Sequence, residues 1–132
     1  MRFLCSCGHI IRDQTNSLPC KARFTPDEDT DDDSDHLATI LEEFILAREA
    51  GKQQEFLASH FAEDYPQDLP LQSIINDLLT REINLSMRVI YECEKCGRIF
   101  VEHHPAEARL AIYAPEGETR GVLQSHRHKA SS

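Results

Sequence analysis

Two cysteine turns, one near each end of the chain, limit the fold more than any other feature. The N-terminus reads "RFLCSCGHIIRD", and the second stretch, with 85 residues between Cys7 and Cys93, reads "IYECEKCGRIFVE". In each, a cysteine pair is followed by glycine: Cys5, Cys7 and Gly8 in the first, Cys93, Cys96 and Gly97 in the second. A His or Arg follows, then isoleucine, another apolar residue, and an acid further on (Asp13 and Glu102). Apolar residues also precede each pair, at Phe3 and Leu4 and at Ile90 and Tyr91. This near-repeat predicts a strand, a tight cysteine turn and a returning strand, formed twice.

A turn of this kind can aim two sulfurs at one ion. Glycine after the second cysteine can take positive φ at little cost. It also lets backbone N–H groups approach the sulfurs and steady their charge. Two such turns facing each other would supply four thiolates in a tetrahedron, the arrangement that structural zinc prefers. Cys5, Cys7, Cys93 and Cys96 are therefore the expected Zn²⁺ ligands. The motifs resemble the zinc-ribbon class, in which two cysteine knuckles on separate hairpins clamp one zinc. They also resemble small bacterial proteins that open F-x-C-x-C-G and close with a C-x-x-C-G hairpin, a likeness that implies no activity. The chain departs from the ribbon pattern in its C-x-C first knuckle and in the long segment between the knuckles.

Other cysteine chemistry fits less well. A thioredoxin-like C-x-x-C should open a helix in a βαβ setting, whereas "MRVIYE" and "RIFVEH" are β-rich on both sides. The clustered spacings of iron–sulfur proteins are absent. The fifth cysteine, Cys20, is expected to pack as a small apolar residue. The opening "MRFLCSCGHIIRD" has Gly8, His9 and Arg12 interrupting any apolar run, so no secretory leader is read. No stretch is apolar enough to suggest a membrane span. The expected compartment is the cytoplasm, where cysteines stay reduced.

The intervening segment predicts helices. Leu37, Ile40, Leu41, Phe44 and Ile45 recur at helical spacing, with Asp35 as expected N-cap and Gly51 as the stop. A short helix is expected around Phe56, Leu57, His60 and Phe61. After the linker "AEDYPQDLP", Pro70 opens a third helix, with Leu71, Ile74, Ile75, Leu78 and Leu79 on one face. "KARFT" and "ARLAIYA" read as further strands. The expected fold is α+β: a small antiparallel zinc-ribbon-type sheet (residues 1–25 and 86–114) with an inserted helical segment (36–85) packed on one face. Residues 1–114 would form a single zinc-stabilised domain. Residues 115–132 read as a flexible tail, with a short element at Val122 and Leu123 and metal capture by His126 and His128 as a minor option.

The net charge is −9, and Asp27, Glu28, Asp29, Asp31, Asp32, Asp33 and Asp35 carry seven of the negative charges. Outside that run the balance is −2, so the acidity reads as one patch, expected as a solvated loop before the helix. Asp31, Asp33, Asp35 and Glu42 match EF-hand positions 1, 3, 5 and 12, but His36 replaces the required glycine, which disfavours calcium. H-E-x-x-H, the zinc-deaminase signature, P-loops and G-x-S-x-G are all absent. A site filled by four cysteines leaves no position for an activated water. The expected function is therefore non-catalytic: a structural zinc, and an acidic surface that meets a basic protein, in the manner of an immunity or antitoxin protein. Two alternatives stand beside it. One is a nucleic-acid-binding zinc ribbon, disfavoured by the negative charge. The other is a metalloenzyme in which His9, His103 or His104 replaces a cysteine and Glu102 serves as base. The oligomeric state is not legible from the residues.

Overall fold

In the computed structural model, residues 1–104 and 107–127 are described. Over these residues the chain has the expected α+β character, with three α-helices and two antiparallel sheets. It divides into two compact units, Met1–Phe24 with Arg88–Ser132, and Thr25–Met87.

The first unit carries both knuckles. Strands β1 (Arg2–Leu4) and β2 (Ile10–Arg12) form the N-terminal hairpin, with Phe3 opposite Ile11. A four-stranded sheet follows in the order β3 (Lys21–Phe24), β4 (Arg88–Glu92), β5 (Ile99–His104), β6 (Glu107–Tyr113). Tyr91 of β4 lies opposite Phe100 of β5. Alternation puts Val89, Tyr91 and Cys93 on one face. There they join Cys5, Ile11 and Phe100 in a core that also draws in Phe3 and Leu110. Phe3 meets both sheet aromatics edge to face, with centroids 5.3 Å from Tyr91 and 5.0 Å from Phe100. This is the geometry that ring quadrupoles favour. The hairpin is thus seated on the sheet with its cysteine turn beside that of β4 and β5.

The second unit is helical: α1 (Thr30–Glu49), α2 (Gln53–His60) and α3 (Leu71–Ser86). Ile40 and Phe44 from α1, Leu57 from α2, and Ile74 and Leu78 from α3 form its core. This unit departs from the sequence reading in where α1 begins, in the place of Asp35 and in that of Ile45. The acidic run is not a loop: Asp27–Asp29 make a 3-10 turn, and α1 begins at Thr30. Asp35 therefore lies inside the helix rather than capping it. Asp31, Asp33, Asp35 and Glu42 all stand on α1, so no calcium loop forms. Finally, Ile45 is 51% exposed and falls off the buried stripe.

The acidity belongs to the whole helical unit, not to the run alone. Residues 25–87 contain 16 Asp and Glu against 3 Lys and Arg, a balance of −13, and the rest of the chain carries +4. No helix among the described residues is long and apolar enough to cross a membrane.

Candidate metal centre

The two knuckles are variations on one backbone turn. In the first, the Cys5 N–H donates to the His9 carbonyl (2.8 Å) and the Gly8 N–H donates back to the Cys5 carbonyl (2.9 Å). In the second, the Cys93 N–H donates to the Arg98 carbonyl (2.9 Å) and the Gly97 N–H to the Cys93 carbonyl (2.8 Å). The same pair of bonds closes one residue later in the second turn. The difference between C-x-C and C-x-x-C is therefore absorbed inside the turn. Both closing glycines have positive φ, +97° at Gly8 and +81° at Gly97, as the motif required.

The four sulfurs converge. Every pair of Sγ atoms among Cys5, Cys7, Cys93 and Cys96 lies within 4.8 Å, a group that could hold a metal ion. The first cysteine of each knuckle faces the second of the other: Cys5 Sγ to Cys96 Sγ is 3.6 Å, and Cys7 Sγ to Cys93 Sγ is 3.6 Å. Disulfides are excluded at these distances, since an S–S bond is about 2.05 Å. A tetrahedron with Zn–S near ~2.3 Å places its sulfurs about 3.8 Å apart. The cluster is thus already close to the size that one tetrahedral ion needs.

Its electrostatics also call for a cation. Burial pushes the Cys93 thiol up to about 12, against the pull of the Cys96 and Lys95 backbone amides. The Arg98 backbone amide pulls Cys96 down to about 6, helped by its guanidinium, 3.2 Å from Sγ. One sulfur is readied as a thiolate while its neighbour resists ionising. Four thiolates in this space would repel one another, and a divalent ion would supply the charge that lets all four ionise.

Two further groups brace the second knuckle. Glu92, directly before Cys93, is 2% exposed, and its carboxylate accepts the N–H groups of Val122 (3.3 Å) and Leu123 (3.4 Å). Thr119 passes so close to Gly97 that a Cβ there would sit 2.4 Å from its carbonyl oxygen. Residues 114–127 hold no helix or strand, yet they are tied to the knuckle at these two points.

The match to known proteins covers every strand and helix described above but ends before Thr119. A family model described as Domain of unknown function (DUF8617) matches residues 1–117. The chain belongs to the DUF8617 family. No curated protein and no solved structure matches it. Both knuckles of this DUF8617 chain, and the helical segment between them, lie inside the family match.

Among the described residues, the metal-competent group of this DUF8617 member contains cysteines alone. His9 lends its carbonyl to the first turn. His103 is exposed on β5, where its Nδ1 lies 2.9 Å from Arg109 Nη2. Glu102 accepts the Val89 N–H at 3.3 Å. The side chain of His104, and His128 altogether, lie outside the described residues. Cys20 is buried at the head of β3 and is not part of the cluster; burial, with Glu94 nearby, raises its thiol pKa.

Sequence reasoning missed the Arg98 contact and the Glu92 anchor, and it marked Asp13 only by its place in the near-repeat. The Asp13 carboxylate accepts Tyr91 Oη and Lys21 Nζ (2.7 Å), tying β2's end to β3 and β4. Asp13 and Glu102 occupy matching places in that repeat, and both bond to β4.

Proposed function

We propose that this chain is a non-catalytic zinc-binding protein. Its Cys5, Cys7, Cys93 and Cys96 hold one structural Zn²⁺, and its acidic helical unit meets a basic protein partner. The observation that carries the zinc reading is the convergence of four sulfurs, from segments 85 residues apart, at near-tetrahedral spacing. Four thiolates fill a zinc's coordination shell, so the ion would be a clasp and not a Lewis acid. It would close a loop of about ninety residues, and ion binding would add directly to folding stability.

The partner reading is supported by charge. A surface at −13 over 63 residues attracts basic proteins and speeds their encounter. An immunity-like or antitoxin-like role against a basic nuclease fits that chemistry, in a reducing compartment where five cysteines stay unpaired. Elemental analysis of purified protein tests the metal: one zinc per chain, lost in Cys5→Ser and in Cys93→Ser. X-ray absorption showing fewer than four sulfurs around the metal would overturn the closed site and favour an open, catalytic one. A variant with the Asp27–Asp35 acids changed to serine should capture less of a basic partner, and unchanged capture would count against the acidic surface.

One observation supports a second reading. The knuckle unit holds 11 Lys and Arg against 7 Asp and Glu, so the nucleic-acid-binding alternative has its favourable charge on the ribbon itself. It requires a gel shift that weakens steeply with salt, and no shift at low salt would end it.

A further inference from the structure

The helical unit contains an open groove of about 740 Å³, between the 61–66 turn and α3. That volume is in the range of ordinary ligand sites, and the walls are mostly apolar. Phe61 and Tyr65 line it as a stacked pair, with centroids 4.6 Å apart and planes 17° from parallel. The turn is fixed before any partner arrives. The Phe61 N–H bonds to the Leu57 carbonyl (2.9 Å), the Tyr65 N–H to Ala62 (3.1 Å), and the Tyr65 hydroxyl to Asp77 Oδ2 (2.7 Å).

The polar groups around the groove are mixed, with Thr80 and Asn84 beside the charged ones. Asp64 and Asp77 bring two carboxylates. His60 Nδ1 donates to the Phe56 carbonyl at 2.9 Å, which fixes the ring at the groove wall. Arg81 is the one cation in the lining, and its guanidinium is 2.7 Å from Glu82 Oε1, so its charge is countered at the wall. Aromatic faces and two carboxylates on a −13 unit match a guanidinium group. Arginine has five N–H donors, no acceptor, and a planar cation that stacks on rings.

We infer that this groove receives an arginine side chain of the basic partner, with the guanidinium at Tyr65 and Asp77 and the aliphatic stem along Pro66 and Leu85. The inference rests on the proposed basic partner and names where that partner anchors. A preformed aromatic pocket is the usual place for the few contacts that dominate an interface.

Nuclear magnetic resonance of the full zinc-loaded chain, titrated with Nα-acetyl-L-arginine methylamide, tests it. Amide shifts should saturate at Phe61, Tyr65, Asp77 and Thr80, and the neutral citrulline analogue should leave them unmoved. Asp77→Asn keeps an acceptor for the Tyr65 hydroxyl and should weaken binding about tenfold, the cost of one charge-assisted hydrogen bond. The variant with serine at the seven acids of Asp27–Asp35 should retain the groove shifts. Shifts confined to the acidic run, equal response to citrulline, or indifference to Asp77→Asn would overturn the groove. Partner capture that depends on the acidic run, without groove shifts, would sink this inference alone. Groove shifts with no basic partner captured would sink the partner reading instead.

Discussion

Single residues show where this fold is least forgiving. Gly8 and Gly97 have similar backbone angles, but a Cβ at Gly8 would meet open space, whereas at Gly97 it would strike the Thr119 carbonyl. Gly8→Ala should therefore cost about 1 kcal/mol, the usual left-handed penalty. Gly97→Ala should cost about 2–3 kcal/mol or detach the segment around Thr119, as chemical denaturation of the zinc-loaded protein would show. Glu82 is 4% exposed and continues the stripe of Ile74 and Leu78, where an apolar residue is expected. Its carboxylate is held by His36 Nε2 (2.8 Å) and by Arg81. Periodicity treats a glutamate as a surface residue, so its burial was illegible until α1 and α3 were brought together. Removing both partners, as in His36→Ala with Arg81→Ala, should strand the charge and cost about 3 kcal/mol, while Glu82→Met should stay within about 1 kcal/mol of wild type. Asp13 behaves differently. Burial lifts its carboxyl, but the bonds from Lys21 and Tyr91 outweigh that and hold it below its ordinary 3.8. A carboxylate with a depressed folded pKa stabilises above the unfolded value and loses that contribution as pH falls through the folded one. The stability gap between wild type and Asp13→Asn should thus hold steady well above 3.8 and close as pH falls below it, as paired denaturation curves would show.

At the scale of elements, the strands flanking each knuckle were legible because cysteine, glycine and apolar residues all demanded the same turn. α3 was legible because Ile74, Ile75, Leu78 and Leu79 repeat at helical spacing, although Leu71, expected on the same face, is exposed. The start of α1 was not. Aspartate is a poor helix former in the interior, so a run of it reads as loop. At a helix N-terminus the same charges face the positive end of the macrodipole and become favourable. Asp31, Asp32 and Asp33 occupy that first turn. Changing all three to lysine should reverse the effect, at about 0.3–1 kcal/mol per site. The measured signs would be lower helicity by circular dichroism and a lower melting temperature for the helical unit. Serine at the same sites should do much less.

For the molecule as a whole, the near-repeat of knuckles could be read from the text, because it is local chemistry written twice. The tie between Glu92 and Val122, 30 residues apart, could not, because nothing in either stretch names the other. The division of the hydrophobic residues was likewise hidden. Cys5, Ile11, Tyr91, Cys93 and Phe100 make one core, and Ile40, Phe44, Leu57, Ile74 and Leu78 make another. Only the first contains the four sulfurs, so if they hold the proposed zinc, its loss should fall on that core first. Without the ion, Cys93 favours its neutral thiol and the four side chains lose their common centre. The helical core contains no candidate ligand. After chelation, hydrogen exchange should accelerate by orders of magnitude at Tyr91 and Phe100, while amides at Phe44 and Leu78 keep most of their protection. Equal loss at all four positions would mean that the clasp holds both cores, since a closed loop of about ninety residues restrains everything strung between its ends.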